Sequence, residues 1–153
     1  MRELVYYVAV SLDGCIAGPQ DQFDAFLVEG GATTHAMGLP AMPSPYRYLE
    51  QIVFTHRELP PAENLRTTTE DPVAVVRALK EQPGADIWLC GGAQLATQLR
   101  GEIDRLVLKR QPLLFGAGVP LFAPGDYEPE PFAHVRTRTF DSGVSLTEYV
   151  RER

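Results

Sequence analysis

The chain has no run approaching the roughly twenty uninterrupted apolar residues that a membrane-spanning helix needs. Its start, MRELVYYVAV, also lacks the long apolar core and cleavage site of a secretion signal. A cytoplasmic protein with no membrane partner is expected. Cysteine is scarce: Cys15 and Cys90 lie in different segments without CxxC spacing, which gives neither a zinc knuckle nor a redox pair. Both are expected to be small buried hydrophobes. His35, His56 and His134 have no companions at ligand spacing, so no metal site is expected. Positive charge is short as well, with 14 Lys and Arg against 20 Asp and Glu, a net charge of -6. No cationic stripe could neutralise a run of phosphates, which argues against nucleic acid as a partner. A length of 153 residues, 44% of them hydrophobic, suits one core and leaves no room for a second, so 1–153 reads as a single domain.

What the chain does have is an alternation of buried strands and helices. Residues 3–10, ELVYYVAV, are β-branched, aromatic and nearly uncharged, the pattern of a central strand covered on both faces. The strand ends at Ser11-Leu12-Asp13-Gly14, where the Asp-Gly pair favours a tight turn, and resumes over 15–17 before Gly18-Pro19. The spacing of Phe23, Phe26 and Leu27 predicts a helix over 21–28 with Asp21 as its cap. The Gly-, Pro- and Thr-rich stretch 29–45 predicts a loop. QIVFT at 51–55 predicts a buried strand, with a short one at 65–69. Asp71-Pro72 starts a helix striped by Val75, Val76 and Leu79, which ends near Pro83-Gly84.

DIWLC, at 86–90, is too short and apolar for a surface helix and predicts a second central strand beside 3–10. Gly91-Gly92 and the helical stretch AQLATQLR follow, then a strand, IDRLVLKR, at 103–110. Linkers this short imply a parallel pair joined by a right-handed crossover, with the glycines at the carboxyl end of the first strand. HVRTRTF and VSLTEYV alternate around Asp141-Ser142-Gly143 and predict a terminal antiparallel hairpin, making the sheet mixed.

Gly91-Gly92 is the most informative feature for chemistry. Residues without side chains at a strand-to-helix turn let backbone N–H groups approach a pyrophosphate at the positive helix end. The motif is not GxGxxG, and a turn that needs a positive φ or close packing would use the same residues. Thr55-His56-Arg57 follows another strand, where a hydroxyl beside a guanidinium could clamp a 2'-phosphate or simply be solvated. Asp13 and Asp24 could hydrogen-bond a substrate or relay a proton, or serve as a turn residue and a first-turn helix residue. In PLLFGAGVPLF, at 112–122, two glycines between apolar runs imply a backbone passing close to a ligand or to another loop.

Taken together, VYYVAVSLDGCIAGP, VFTHREL, IWLCGGAQLATQL and IDRLVLKRQPLLFGAGVPLF resemble, in order, the dihydrofolate-reductase-like family. The closer resemblance is to its riboflavin-biosynthesis reductase branch, the RibD C-terminal domain. The resemblance implies a three-layer α/β/α fold with a mixed, mostly parallel central sheet and a C-terminal antiparallel hairpin. It implies NADPH as cofactor, with Gly91, Gly92, Ala93 and Gln94 at the pyrophosphate and Thr55, His56 and Arg57 at the adenosine phosphate. Asp13, Asp24 and Phe23 would border the nicotinamide and substrate, Gly116 and Gly118 the substrate, and Trp88 and Leu89 would stay in the core. One departure stands out: the family's second strand and helix, written roughly VMGRxTYE, has no counterpart beyond Met37-Gly38. Loss of that strand would leave unpaired backbone groups in the sheet unless another strand closed the gap. The expected activity is NADPH-dependent reduction of a small pteridine- or pyrimidine-like heterocycle or a sugar carbonyl. The alternatives are a ligand-binding protein with an impaired cofactor site, or an interaction module using 112–122 as a homodimer face.

Overall fold

The computed structural model describes residues 1–26 and 48–153. In chain order its elements are β1 (Leu4–Val10), β2 (Cys15–Ala17), β3 (Gln51–Phe54), β4 (Leu65–Thr68), α1 (Pro72–Lys80), β5 (Ile87–Leu89), α2 (Ala93–Gln98), β6 (Arg105–Arg110), β7 (Val119–Pro120), β8 (Phe132–Thr139) and β9 (Ser145–Arg151). A 3-10 turn, Arg100–Glu102, extends α2. The start of α1 is set by chemistry legible in the chain. The Asp71 carboxylate accepts the Ala74 N–H at 2.9 Å, and Pro72 occupies the first turn, where no N–H is needed.

Five strands form the main sheet in the order β5-β1-β6-β9-β8. β1 runs parallel to β5 on one side and to β6 on the other, while β9 pairs antiparallel with both β6 and β8. The terminal hairpin and the mixed sheet are therefore as the alternation predicts. Two small pairs stand apart from this sheet, β2 with β7 antiparallel and β3 with β4 parallel. The core lies on the face of β1 that carries Leu4 and Tyr6. Val76 of α1, Leu89 of β5, Ala96 of α2, Leu99 and Ile103 pack there.

Four expectations are corrected. β5 lies beside β1 but is the outer strand of the sheet among the described residues, so only β1 is central. β5 and β6 are parallel without pairing, because β1 runs between them; β1 has seven residues to share with two neighbours, and β5 has three. The segment 21–26 turns instead of forming a helix. Its local bonds, Asp21 N–H to Gly18 O at 3.0 Å and Gln20 N–H to Gln22 Oε1 at 2.8 Å, compete with helical pairing. The rest of that expected helix and the expected loop at 29–45 lie outside the described residues. Lastly, Cys15 is buried but Cys90, just past β5, is exposed, and Trp88 is 37% exposed while Leu89 is in the core. Successive strand residues point to opposite faces, so Leu89 meets the helices and its neighbours face the other way.

One buried carboxylate holds this arrangement. Asp104 accepts the Leu4 N–H at 2.9 Å, Lys80 Nζ at 2.6 Å and an Arg153 N–H at 2.6 Å. Burial pushes its pKa up, but these donors outweigh burial and hold it below the usual carboxylate value. Removing one member of such a buried pair leaves the other charge uncompensated. Asp104→Ala is therefore expected to lower stability by about 3–5 kcal/mol, read as a shift of the urea midpoint; a loss no larger than that of a surface substitution would contradict this role.

Candidate functional site

Three segments converge beyond the carboxyl ends of β1 and β5: the turn 11–14, the turn 91–94 and the connector 111–123. Asp13 joins the first to the third. Its carboxylate accepts Ser11 Oγ at 2.5 Å, the Phe115 N–H at 3.1 Å and the Gly116 N–H at 2.8 Å. The hydroxyl of Ser11 leads in lowering its pKa to about 2, with the Phe115 and Gly116 amides following. At neutral pH Asp13 is thus an anion that clamps a loop and has no proton to give. Ser11 itself is buried, and its Oγ also accepts the Cys15 N–H at 2.9 Å, which returns the chain into β2.

At the end of β5 the two glycines differ in what they require. Gly91 has φ +106, which only glycine adopts easily, and a Cβ built on it would rest against Tyr6 and Ile16 at 3.6–3.9 Å. Gly92 has an ordinary φ of -87 and nothing within 4 Å of the place a Cβ would occupy. The peptide bond between them is cis. Gly92 is the N-cap of α2 and brings no side chain to its first turn, whose amides have no intrahelical acceptors. The turn is anchored from behind: Ala93 O accepts Thr97 Oγ1 at 2.9 Å and the Ala123 N–H at 3.3 Å.

The connector closes the third side. The Leu12 N–H donates to Leu113 O at 2.8 Å, and the Leu121 N–H donates to Gly14 O at 2.9 Å. Gly118 passes so close to β2 that a Cβ there would overlap the Ala17 carbonyl. The two glycines of PLLFGAGVPLF thus meet other parts of the chain, Gly116 through its N–H at the Asp13 carboxylate and Gly118 at the Ala17 backbone. Phe115 stacks on buried Phe26, ring centroids 5.0 Å apart and planes 15° apart. Leu12, Phe23 and Leu114 are exposed apolar side chains of the turn, the 21–26 segment and the connector. Asp24 is exposed in the same segment as Phe23.

Thr55, His56 and Arg57 follow β3 on the separate two-stranded pair. The Thr55 N–H donates to Thr68 O at 3.0 Å, and Thr55 Oγ1 accepts the Arg57 N–H at 3.0 Å. The Thr55 hydroxyl therefore shapes a tight turn, and His56 and Arg57 are exposed. Among the described residues no hydrogen bond or ion pair connects 55–57 with 91–94. Met37-Gly38, the only sequence fragment reminiscent of the family's second strand, and His35 lie outside the described residues. Three contributors escape sequence reading: Tyr6 beneath Gly91, Ser11 beneath Asp13, and the Phe26–Phe115 stack. The first is hidden in a uniformly apolar strand. The other two gain meaning only when distant segments meet.

The family model described as the RibD C-terminal domain matches residues 45–146. The Bacillus subtilis protein YwjB is 29% identical over 145 residues, covering 79% of this chain and 83% of that one. The crystal structure of a diaminohydroxyphosphoribosylaminopyrimidine deaminase/5-amino-6-(5-phosphoribosylamino)uracil reductase from Thermotoga maritima superimposes with a TM-score of 0.66 at 14% identity, over 99% of this chain and 57% of that one. Enterococcus faecalis dihydrofolate reductase, complexed with NADP(H), gives 0.60 at 18% identity over 99% and 97%. These likenesses establish an α/β fold of the dihydrofolate-reductase type.

The Asp13 clamp makes stability depend on pH in a defined direction. Its carboxyl is lowered from 3.8 to about 2 on folding, so the clamp is at full strength above 3.8 and is lost as pH falls toward 2. Asp13→Asn should melt below the wild type at neutral pH, with the difference shrinking through that window and vanishing beneath it. Melting temperatures of both proteins across the acid range test this; a pH-independent difference would assign the effect to something other than the ionised clamp.

Proposed function

The chain belongs to the RibD C-terminal domain family, and from that premise we propose that it is an NADPH-dependent reductase of a small pyrimidine- or pteridine-like heterocycle or its attached sugar carbonyl. The observation that carries the reading is Gly92. It is an uncapped helix start with open space where a side chain would stand, next to a glycine whose conformation fixes the turn. Such a cradle fits a pyrophosphate, which is held by backbone N–H groups and excluded by side chains. In this reading Gly91, Gly92, Ala93 and Gln94 hold the pyrophosphate, and Thr55, His56 and Arg57 hold the 2'-phosphate. The similar structures, a 5-amino-6-(5-phosphoribosylamino)uracil reductase and a dihydrofolate reductase complexed with NADP(H), support NADPH and a pyrimidine- or pteridine-type substrate.

When bound, the cofactor supplies hydride. The chain's own residues then orient the two reactants and exclude water. Phe23 and the neighbouring apolar side chains would cover a planar substrate, with the Gly116–Gly118 loop as its border. Asp13, ionised and engaged with three donors, positions that loop; the proton is left to Asp24 or to water. The missing VMGRxTYE counterpart favours a second reading, in which the same cleft binds a ligand without productive cofactor geometry.

Titration with NADPH, followed by nicotinamide fluorescence, separates the two. Gly92→Asp is expected to abolish saturable binding with little change in melting, since a Cβ there has nothing within 4 Å and the carboxylate opposes the pyrophosphate charge. Gly101→Asp is the control, equally open and on the 3-10 turn. Retained binding in Gly92→Asp would end the cradle assignment. For the other end of the cofactor, Arg57→Ala should weaken NADPH by about tenfold and NADH little; equal losses would remove Arg57 from the 2'-phosphate.

A further inference from the structure

Beneath the glycine turn lies a group that the proposed reaction does not use. Tyr6 is fully buried in the middle of β1, and its Oη donates to Leu121 O at 3.0 Å. The same Oη stands 3.6 Å, and Cε2 3.8 Å, from the position a Cβ on Gly91 would occupy, so the ring end faces that turn. Burial pushes the phenol up to about 12, so it keeps its proton and acts as a hydrogen-bond donor throughout the physiological range. Leu121 in turn donates its N–H to Gly14 O, and Ala123 two residues on donates to Ala93 O. The ring also meets Phe122 edge-on, with centroids 5.5 Å apart.

One side chain is therefore tied to both segments that must keep a fixed spacing. Its ring end faces the Gly91 turn, and through Leu121 it fixes the connector that grips the Asp13-Gly14 turn and the first turn of α2. We propose that Tyr6 is a positioning residue whose hydroxyl sets the register between the glycine turn and the Asp13-Gly14 turn; its effect on cofactor rests on the NADPH reading given above. The ring alone would fill the core. The hydroxyl adds a directed bond to the Leu121 carbonyl, which a phenylalanine filling nearly the same volume would lack.

Tyr6→Phe removes only the hydroxyl, and Val76→Ala on α1 serves as a core-destabilised control. In the ligand-free protein, Tyr6→Phe should speed hydrogen exchange of the Leu121 amide by about tenfold and shift the Gly91 and Gly92 amide resonances, with no such change in Val76→Ala. At a temperature where all three proteins are folded, Tyr6→Phe should also raise the NADPH Kd by about tenfold and Val76→Ala should leave it unchanged. If the amides respond but the wild type shows no saturable NADPH binding, the positioning role stands and the cofactor assignment falls. Unchanged amides in Tyr6→Phe, or an unchanged Kd in a wild type that does bind, would overturn the inference and leave Tyr6 a core residue.

Discussion

The buried Asp104 carboxylate is the constraint on which the rest depends. It sits at the entrance of β6 and accepts donors from the first residue of β1, the last residue of α1 and the C-terminal Arg153. Its own carbonyl accepts the Arg151 N–H at 2.8 Å, which brings in the end of β9. Four pieces of chain far apart in sequence are registered at one end of the sheet. A parallel pair has no hairpin to set its stagger, so β1 and β6 need such a fixed point. With that end pinned, the carboxyl ends of β1 and β5 fall where the turn 11–14 and the turn 91–94 can meet. The site is thus positioned from the opposite pole of the sheet, by charge satisfied inside the protein.

At the site pole the logic is different. There the holding bonds are made by short polar residues and backbone: Ser11, Asp13, Thr97 and the carbonyls of Gly14, Ala93 and Leu121. Some brace a single turn and the others staple one segment to another, and none needs a ligand. Most of the conspicuous glycines are explained by the same packing, Gly118 by the Ala17 backbone and Gly91 by its φ. Gly92 alone among the proposed contacts has neither demand. A residue that could carry a side chain without clash or strain, yet carries none, is where an external occupant has the most explanatory weight.

Much of this is written locally in the chain. The Asp71-Pro72 start of α1, the β8–β9 hairpin around Asp141-Ser142-Gly143 and the apolar runs of β1 and β5 follow from capping, turn chemistry and burial, which act over a few residues. Expectations failed where the deciding interaction was long-range or competed locally. Nothing in DIWLC says that β1 will separate its strand from 105–110, since that depends on which strand is long enough to serve two neighbours. The apolar spacing of Phe23 and Phe26 suggests a helix, but Gln20 and Gln22 bond each other and their own backbone and close turns instead. Within the site, the glycines and Asp13 were visible as residue types, whereas Tyr6 was indistinguishable from its core neighbours. Its hydroxyl becomes informative only against Leu121, 115 positions away.

Asp13 shows how one geometry narrows three roles that a sequence leaves open. A carboxylate at the mouth of a reductase cleft can hold a substrate, pass on a proton or brace the wall. Proton donation at neutral pH needs a pKa raised toward 7, through burial or a like charge nearby. Asp13 has the opposite surroundings, exposed and facing three hydrogen-bond donors, and its pKa moves down to about 2. The bonds that make it an effective brace for the Phe115-Gly116 backbone are the ones that disqualify it as an acid.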